Sequence, residues 1–394
     1  MQNLKKEAEA LEEQLISWRR DFHRHPELAL EEFRTADIVE GELERLGIHH
    51  QRIGKTGVLG ILKGEQQGKR IVALRADMDA LPIQEQNDVD YRSVVDGIMH
   101  ACGHDVHTSC LLGAARLLAA RKAGFGGEIR FLFQPGEEIG KGAIPFIKAG
   151  ALKGAERVFG LHTAVDVRLG TVGLTPGLNN ASVDHFTIRV HGKSAHVSTP
   201  QLGADALYIA SQIVVAVQAL ITRCTSPIEP VIIGIGKLTA GTAYNAVAEE
   251  AVLEGTTRTI SVETRGSIRK RITELAEQTA SMYGGTAELE WEDFASPLIN
   301  NEQVTKEAAG LVEAVYGPGH VVSNRPLSLG GDDFAEYLLE TPGVYAYLGT
   351  ANPNRPDTQI PAHNGRFNVD EDAMKMGTVL YSAYALYWLS QKEV

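Results

Sequence analysis

Cysteine is nearly absent from this chain: Cys102, Cys110 and Cys224 are the three in 394 residues. Three thiols cannot all pair and they form no regular framework, so the fold does not rest on disulfides and a reducing compartment is expected. Also missing is any block of lysine and arginine. With 38 basic against 50 acidic residues the formal net charge is −12, which argues against nucleic acid and anionic membrane as partners, because phosphate binding demands clustered positive charge. No apolar stretch reaches the ~20 residues that a membrane-spanning helix needs. Residues 1–10 contain no apolar leader segment, so the expectation is a cytoplasmic protein with no membrane partner. Internal repeats and low-complexity tracts are absent too.

Core material is plentiful, at 43% apolar residues, and the length exceeds the ~250–300 residues at which single cores stop growing, so two domains are expected. Helical periodicity alternates with short β-rich runs through residue 180 and again after about residue 297. That pattern is an α/β domain: a mixed, mostly parallel sheet flanked by helices. The stretch between reads differently. Residues 184–192 alternate as a half-exposed strand, 205–222 are helical, 231–238 and 251–259 are strands, and 268–283 form a second amphipathic helix. These make an inserted α+β layer of β-α-β-β-α-β type. The expected boundaries are 1–181 with 296–394 for the discontinuous domain and 182–295 for the insert, with hinges at the Gly/Ser/Asn-containing junctions 177–183 and 295–301.

Chemistry concentrates in residues 99–108, where His100, His104 and His107 stand with Cys102 and Asp105. Thiolate and neutral imidazole suit zinc and its neighbours, and Cys-x-His puts Cys102 and His104 on one turn. Polar residues at a helix start would account for this cluster equally well on its own. Downstream, an apolar strand over 127–133 is stopped by Gln134-Pro135-Gly136 and followed by Glu137-Glu138. Adjacent like charges beyond a core strand either cap the next segment or are neutralised by a cation. With metal nearby, one carboxylate ligates and the other stays free as a base. His162 follows the apolar strand 157–161, an Asp77-Met78-Asp79 pair ends the strand 71–76, and His363 stands near the chain end. Strand ends of this kind are where open α/β folds place their sites.

In order along the chain, residues 18–28, 75–82, Cys102-Gly103-His104-Asp105, 133–138, 241–245 and Pro361-Ala362-His363 resemble the M20 metallopeptidase family nearly end to end. The resemblance is to its amidohydrolase branch of hippurate hydrolases, auxin-conjugate hydrolases and N-acetyl-diaminopimelate deacetylases. It implies two divalent ions per subunit, manganese or zinc with cobalt or nickel also compatible, held by Cys102, His104, Glu138, His162 and His363. Glu137 is then the general base, and Asp79 the carboxylate that orients a ligand or restrains Glu137. Other branches carry a metal-binding histidine at the place of Asp77, so Asp77 reads either as part of the site or as a solvated acid at a strand end.

The resemblance further implies a metal-dependent cleavage of N-acyl amino acids to a carboxylic acid and an amino acid. The inserted domain would act as a lid and join the subunits of a homodimer or dimer-based oligomer. His196 matches the family's lid histidine, an oxyanion donor often supplied by the partner subunit, and Asn245 matches an asparagine that binds the substrate carboxylate. Arg258 is a candidate for the same carboxylate, or a surface arginine. Gly331, in Gly330-Gly331-Asp332-Asp333, matches a loop whose backbone amides stand near the ligand, with Asp332 in place of the more usual Glu; helix N-capping is the competing account of Asp332 and Asp333. His23, His25 and His107 match no ligand position and read as supporting residues, and Cys110 and Cys224 as inert core. The alternatives are a dipeptidase or carboxypeptidase of the same family, a cysteine-nucleophile hydrolase using Cys102, and a non-catalytic binding protein retaining the fold.

Overall fold

The computed structural model describes residues 2–391, which fall into two compact units. The first comprises the chain up to Asn179, Ile299–Pro326 and the chain from Asp333 onward; the second comprises Asn180–Leu298 and Leu327–Asp332. The short segment Leu327–Asp332 goes with the second unit rather than with the C-terminal stretch. Its backbone is tied there by Ala181 N–H to Ser328 O, Asn180 Nδ2 to Gly330 O and Arg258 Nε to Leu329 O.

The first unit is built on an eight-stranded sheet. Its strands are β1 (His49–Ile53), β2 (Gly57–Lys63), β3 (Gln66–Asp77), β4 (Gly126–Gln134), β5 (Arg157–Arg168), β6 (Val172–Gly173), β13 (Val321–Val322) and β14 (Gly343–Ala351), in the order β1-β2-β4-β3-β5-β14-β6-β13. A separate pair consists of β7 (Gly177–Asn180) and β12 (Leu298–Asn300). The centre is parallel, through β4–β3, β3–β5 and β5–β14, while β1–β2, β2–β4 and β14–β6 are antiparallel. Central strands buried on both faces need continuous apolar runs, and the buried Val72-Ala73-Leu74, Phe131-Leu132-Phe133 and Val158-Phe159 supply them.

The helices of this unit are α1 (Gln2–Ala10), α2 (Glu12–Arg24), α3 (Phe33–Arg45), α4 (His104–Ala119), α5 (Ala143–Lys148), α8 (Glu302–Tyr316), α9 (Phe334–Glu340) and α10 (Ala373–Ser390). Helices α4 and α10 are buried almost all round, as the innermost helices of a large core are. Helix α4 begins after Gly103, whose φ of 90° and whose lack of a Cβ are both required: a Cβ there would lie 2.4 Å from Thr163 Oγ1.

In the second unit, β8 (Val183–His191), β9 (Val231–Ala240), β10 (Glu250–Thr259) and β11 (Thr286–Ala295) form an antiparallel sheet in the order β11-β8-β10-β9. One face carries α6 (Ala206–Cys224) and α7 (Val262–Met282). Phe186, Ile188 and Val190 alternate inward from β8 onto Ile209, Ile213 and Val217 of α6 and Ile268 and Ile272 of α7. Helix α7 starts six residues before the expected 268, because Ser261 Oγ accepts from Thr264 N–H and caps a polar first turn that apolar periodicity does not reveal.

Two expectations are corrected here. Among the described residues α6 is long and apolar enough, by length and composition, to cross a membrane. It instead lays Ile209, Ile213, Val217 and Leu220 into the core of its own unit. Cys224 is not core but exposed, since it is the last residue of α6, beyond Leu220.

Candidate metal centre

The site is assembled where β3 stops. β3 pairs with β5 only as far as Arg75 opposite Gly160, while β5 continues against β14 through Ala164. His162 therefore lies inside a strand, two residues past the last β3 pair, and not at a strand end as expected. Its Nδ1–H donates to Thr163 O at 2.7 Å, which leaves Nε2 bare, 3.4 Å from Cys102 Sγ. Thr163 Oγ1 donates to Cys102 O at 3.1 Å and pins the turn before α4.

Glu137 and Glu138 form one short 3₁₀ turn, Glu137–Ile139, between Gly136 and Gly140, both with φ of 64°. The Asp79 carboxylate accepts from the N–H of Glu137 and of Glu138 and lies 3.3 Å from His104 Nδ1. From the other side Glu32 accepts from the Gly136 N–H at 2.9 Å. Burial, with Asp79 adding to it, pushes the Glu32 carboxyl up to about 7 against the hydrogen bond from Thr56. Sequence gave no sign of this residue's part in holding the turn.

His363 closes the cluster from a loop, with Nε2 3.4 Å from Glu138 Oε2. Its φ of 62° is in the left-handed region, a conformation that costs a non-glycine residue about 1 kcal/mol or more. The Ala101 carbonyl holds it there by accepting the His363 N–H at 2.8 Å.

His104 is wholly buried, and its Nε2 makes no hydrogen bond, yet it stands 3.8 Å from Asp77 Oδ2, from Glu137 Oε2 and from Glu138 Oε1. Glu138 Oε1 is likewise buried without a hydrogen bond. Donors that face one another without bonding are what a shared cation requires. With ligand bonds of about 2.1 Å in a tetrahedron, neighbouring donors lie roughly 3.4 Å apart. Among the described residues five groups of three donors have their ligand atoms within 4.8 Å of one another; besides Asp77 with His104 and His107, and Glu137 with Asp332 and Asp333, they are Cys102 with His104 and His162, Cys102 with Glu138 and His363, and His104 with Glu137 and Glu138. The last three sets overlap at Cys102, His104 and Glu138, as the donors of a two-ion site do, so the residues fit the metal.

The electrostatics agree. Burial, then Glu138 and Glu137, push the Cys102 thiol well above its usual value. Burial opposes a charge on His104, but Asp77, Asp79 and Glu138 outweigh it and raise the imidazole to about 10. Without a cation, burial and the acids hold a proton on the thiol and the acids hold one on the imidazole, and a divalent ion bound there would displace both.

Other expectations are settled by contacts. Asp77 is no solvated acid: it is fully buried, bonded to Arg75 and His107. Asp333 does not cap α9, the helix it precedes; its Oδ2 accepts from the N–H of Gly142 and Ala143 and caps the start of α5 instead. His107 donates to Asp77 and accepts from Thr163 N–H, so both ring nitrogens are committed. His23 is buried between Asp105 and Glu85, and His25 bonds Asp21 O.

In the second unit, His196 and Asn245 are brought together. His196 bridges Ala246, and Val197 N–H donates to Asn245 O. Both side chains are exposed, with His196 Nδ1 at 2.6 Å from Ser198 Oγ. Arg258 is half-buried and donates to Leu329 O, Thr256 Oγ1 and Thr257 O. Gly331 packs so closely on Val183 that a Cβ would lie 2.6 Å from its Cγ2.

Residues 73–387 match the model of peptidase family M20/M25/M40. The chain is 40% identical over 379 residues to an N-acetyl-L-cysteine deacetylase of Bacillus subtilis, covering 96% of this chain and 87% of the relative. It is 37% identical over 391 residues to thermostable carboxypeptidase 2 of Saccharolobus solfataricus, covering 98% of each. Among solved structures, a dinuclear metal-binding M20 peptidase of Bacillus subtilis superposes with a TM-score of 0.81 at 35% identity, over 97% of this chain and 99% of that one. With a buried donor cluster at the end of its parallel sheet and matches that run nearly end to end, the chain belongs to peptidase family M20/M25/M40, in its amidohydrolase branch of metal-dependent amide hydrolases.

Proposed function

We propose that this enzyme hydrolyses the amide bond of N-acyl amino acids to a carboxylic acid and a free amino acid. The observation that carries the reading is the pairing of Glu137 with Glu138 on one turn beside buried, unbonded metal donors. Cys102, His104, Glu138, His162 and His363 hold two divalent ions; manganese, zinc, cobalt and nickel all suit a mixed thiolate, imidazole and carboxylate set. Bound there, the ions supply Lewis acidity toward the amide carbonyl and lower the pKa of water. Glu137 takes the proton of the attacking water and returns it to the leaving amine. Asp79 holds the turn, so that Glu137 and Glu138 keep separate tasks. To the second unit we assign His196 as the oxyanion donor, Asn245 and Arg258 as partners of the substrate carboxylate, and the Gly331 backbone as a further contact. We also assign it the interface of a homodimer, and we place the enzyme in the cytoplasm.

The relatives' names support acyl amino acid hydrolysis, and the carboxypeptidase among them keeps dipeptides as the second substrate class. A cysteine nucleophile fits poorly: such a thiol needs its pKa lowered, whereas burial and two glutamates push that of Cys102 up. Activity on N-acetyl, N-benzoyl and N-indoleacetyl amino acids and on dipeptides, measured alongside the metal content of the purified protein, tests the proposal. Turnover of dipeptides alone would reassign it to peptidase action. Absence of all turnover in a metal-loaded sample would leave a binding protein.

A further inference from the structure

The proposed chemistry uses neither Arg75 nor Asp333, two fully buried charges in the first unit. Arg75 stands in an otherwise apolar stretch of β3. It donates from Nη1 to Asp77 Oδ2 at 2.5 Å, from Nε to Gln134 Oε1 at 2.9 Å and from Nη2 to Asp333 Oδ1 at 3.1 Å. Asp333 Oδ1 also accepts from Gln134 Nε2 at 2.7 Å, while its Oδ2 holds the backbone N–H groups of Gly142 and Ala143. On the far side, Asp77 Oδ1 meets His107 Nδ1 at 2.5 Å, and His107 Nε2 accepts the Thr163 N–H at 2.8 Å, so the His107 proton sits on Nδ1. Thr163 in turn fixes His162 through its carbonyl and the Cys102 turn through its hydroxyl. An unbroken chain of buried polar contacts thus runs from Asp333 to two metal donors.

We propose that Asp333 is a positioning residue for the metal centre: through Arg75, Asp77 and His107 it sets Thr163, and thereby aims His162 Nε2 and the Cys102 thiol. It does so at the point where the chain returns to the first unit after Leu327–Asp332. A buried guanidinium must have its charge matched. Arg75 sits between two carboxylates, so neutralising Asp333 leaves Asp77 as the carboxylate facing it and draws Asp77 away from His107. The amide of Asp333→Asn also has to set N–H groups against donors, either Arg75 and Gln134 or the two backbone N–H groups of α5. Partners behind metal ligands are worth roughly 10–100-fold in affinity or activity.

The proposal rests on Cys102 and His162 being donors, and the test separates the two. Zinc retention is measured against a graded chelator in the full-length wild type, Asp333→Asn and Cys102→Ala, with the unfolding of each metal-free form. The imidazole N–H resonance of His107 is followed by proton NMR. Asp333→Asn is expected to fold, to hold zinc roughly 10–100-fold more weakly, and to shift the His107 resonance, which a merely structural role would leave in place. Wild-type affinity and resonance in folded Asp333→Asn, while Cys102→Ala loses zinc, overturn the relay. If Cys102→Ala also keeps its zinc, the donor assignment falls and the proposal falls with it. Should Asp333→Asn not fold, Gln134→Met removes only the amide that braces Arg75 against Asp333. The same two shifts then support the relay, and wild-type values for both overturn it.

Discussion

The Asp79 carboxylate accepts the backbone N–H of Glu137 at 3.1 Å and that of Glu138 at 2.9 Å, so one acid anchors the turn that carries two others. With both N–H groups tied down, the turn that carries the two glutamates is held in place, which supports the proposed division into base and ligand. Glu137→Gln is expected to keep its metal and to lose ~10²–10⁴ in kcat, the usual worth of a general acid and base. Glu138→Ala should lose metal instead. Near-normal turnover in Glu137→Gln would remove the proposed base.

Cys102 offers a second test. In the metal-free protein its thiol is held well above the usual range by burial and by Glu138 and Glu137, so it is protonated at neutral pH. Since the thiolate is what alkylates, labelling of Cys102 should be slow in the metal-free enzyme at pH 7 and accelerate steadily as the pH is raised. The metal-loaded enzyme should resist labelling across that range. Exposed Cys224 will react in every sample, so the rates must be read from the Cys102 peptide by mass spectrometry. Equal Cys102 rates with and without metal at pH 10 would count against ligation.

A third expectation concerns the buried His23. Burial and Arg19 oppose its positive charge, but the hydrogen bonds to Asp105 and Glu85 outweigh them and raise its pKa. A group with a raised folded pKa stabilises fully below its unfolded value, about 6.5 for histidine, and loses that contribution as pH rises through the folded value. His23→Gln should therefore destabilise the protein by about 1–3 kcal/mol near pH 6 and by less near pH 9. Urea unfolding at the two pH values checks this; an equal penalty at both would show that His23 contributes by packing alone.

What could be read from the sequence, and what could not, divides by range. Cys102, His104, Glu137 and Glu138 announce themselves because thiol, imidazole and paired carboxylates have no business beside apolar strands unless something neutralises them. Arg75 carried a signal of the same kind, a charge inside the buried run of β3, but its partner Asp333 lies 258 residues away. Asp333 was also open to a local explanation, as cap of the helix that follows it, and the long-range contact won. The apolar run that stops at Leu161 puts His162 at a strand end; pairing with β14 carries β5 on regardless. The strain at His363 and the part played by Glu32 have no sequence signature, since both depend on where a loop is anchored.

The last prediction concerns His196, which lies in the second unit while every proposed metal donor lies in the first. Its ring is exposed and its Nδ1 meets Ser198 Oγ, so Nε2 is the nitrogen left to face a substrate. A donor that meets the oxyanion only as it develops acts in the transition state and hardly in ground-state binding. His196→Ala should accordingly lower kcat by roughly 10²–10³, with little change in KM and none in metal content. If the histidine is supplied across a dimer, mixing inactive His196→Ala with inactive Glu137→Gln should restore part of the activity, because one site of each mixed dimer then contains neither substitution. Verified mixed dimers without recovery would reject donation between subunits, and an unchanged kcat in His196→Ala would reject the oxyanion role altogether.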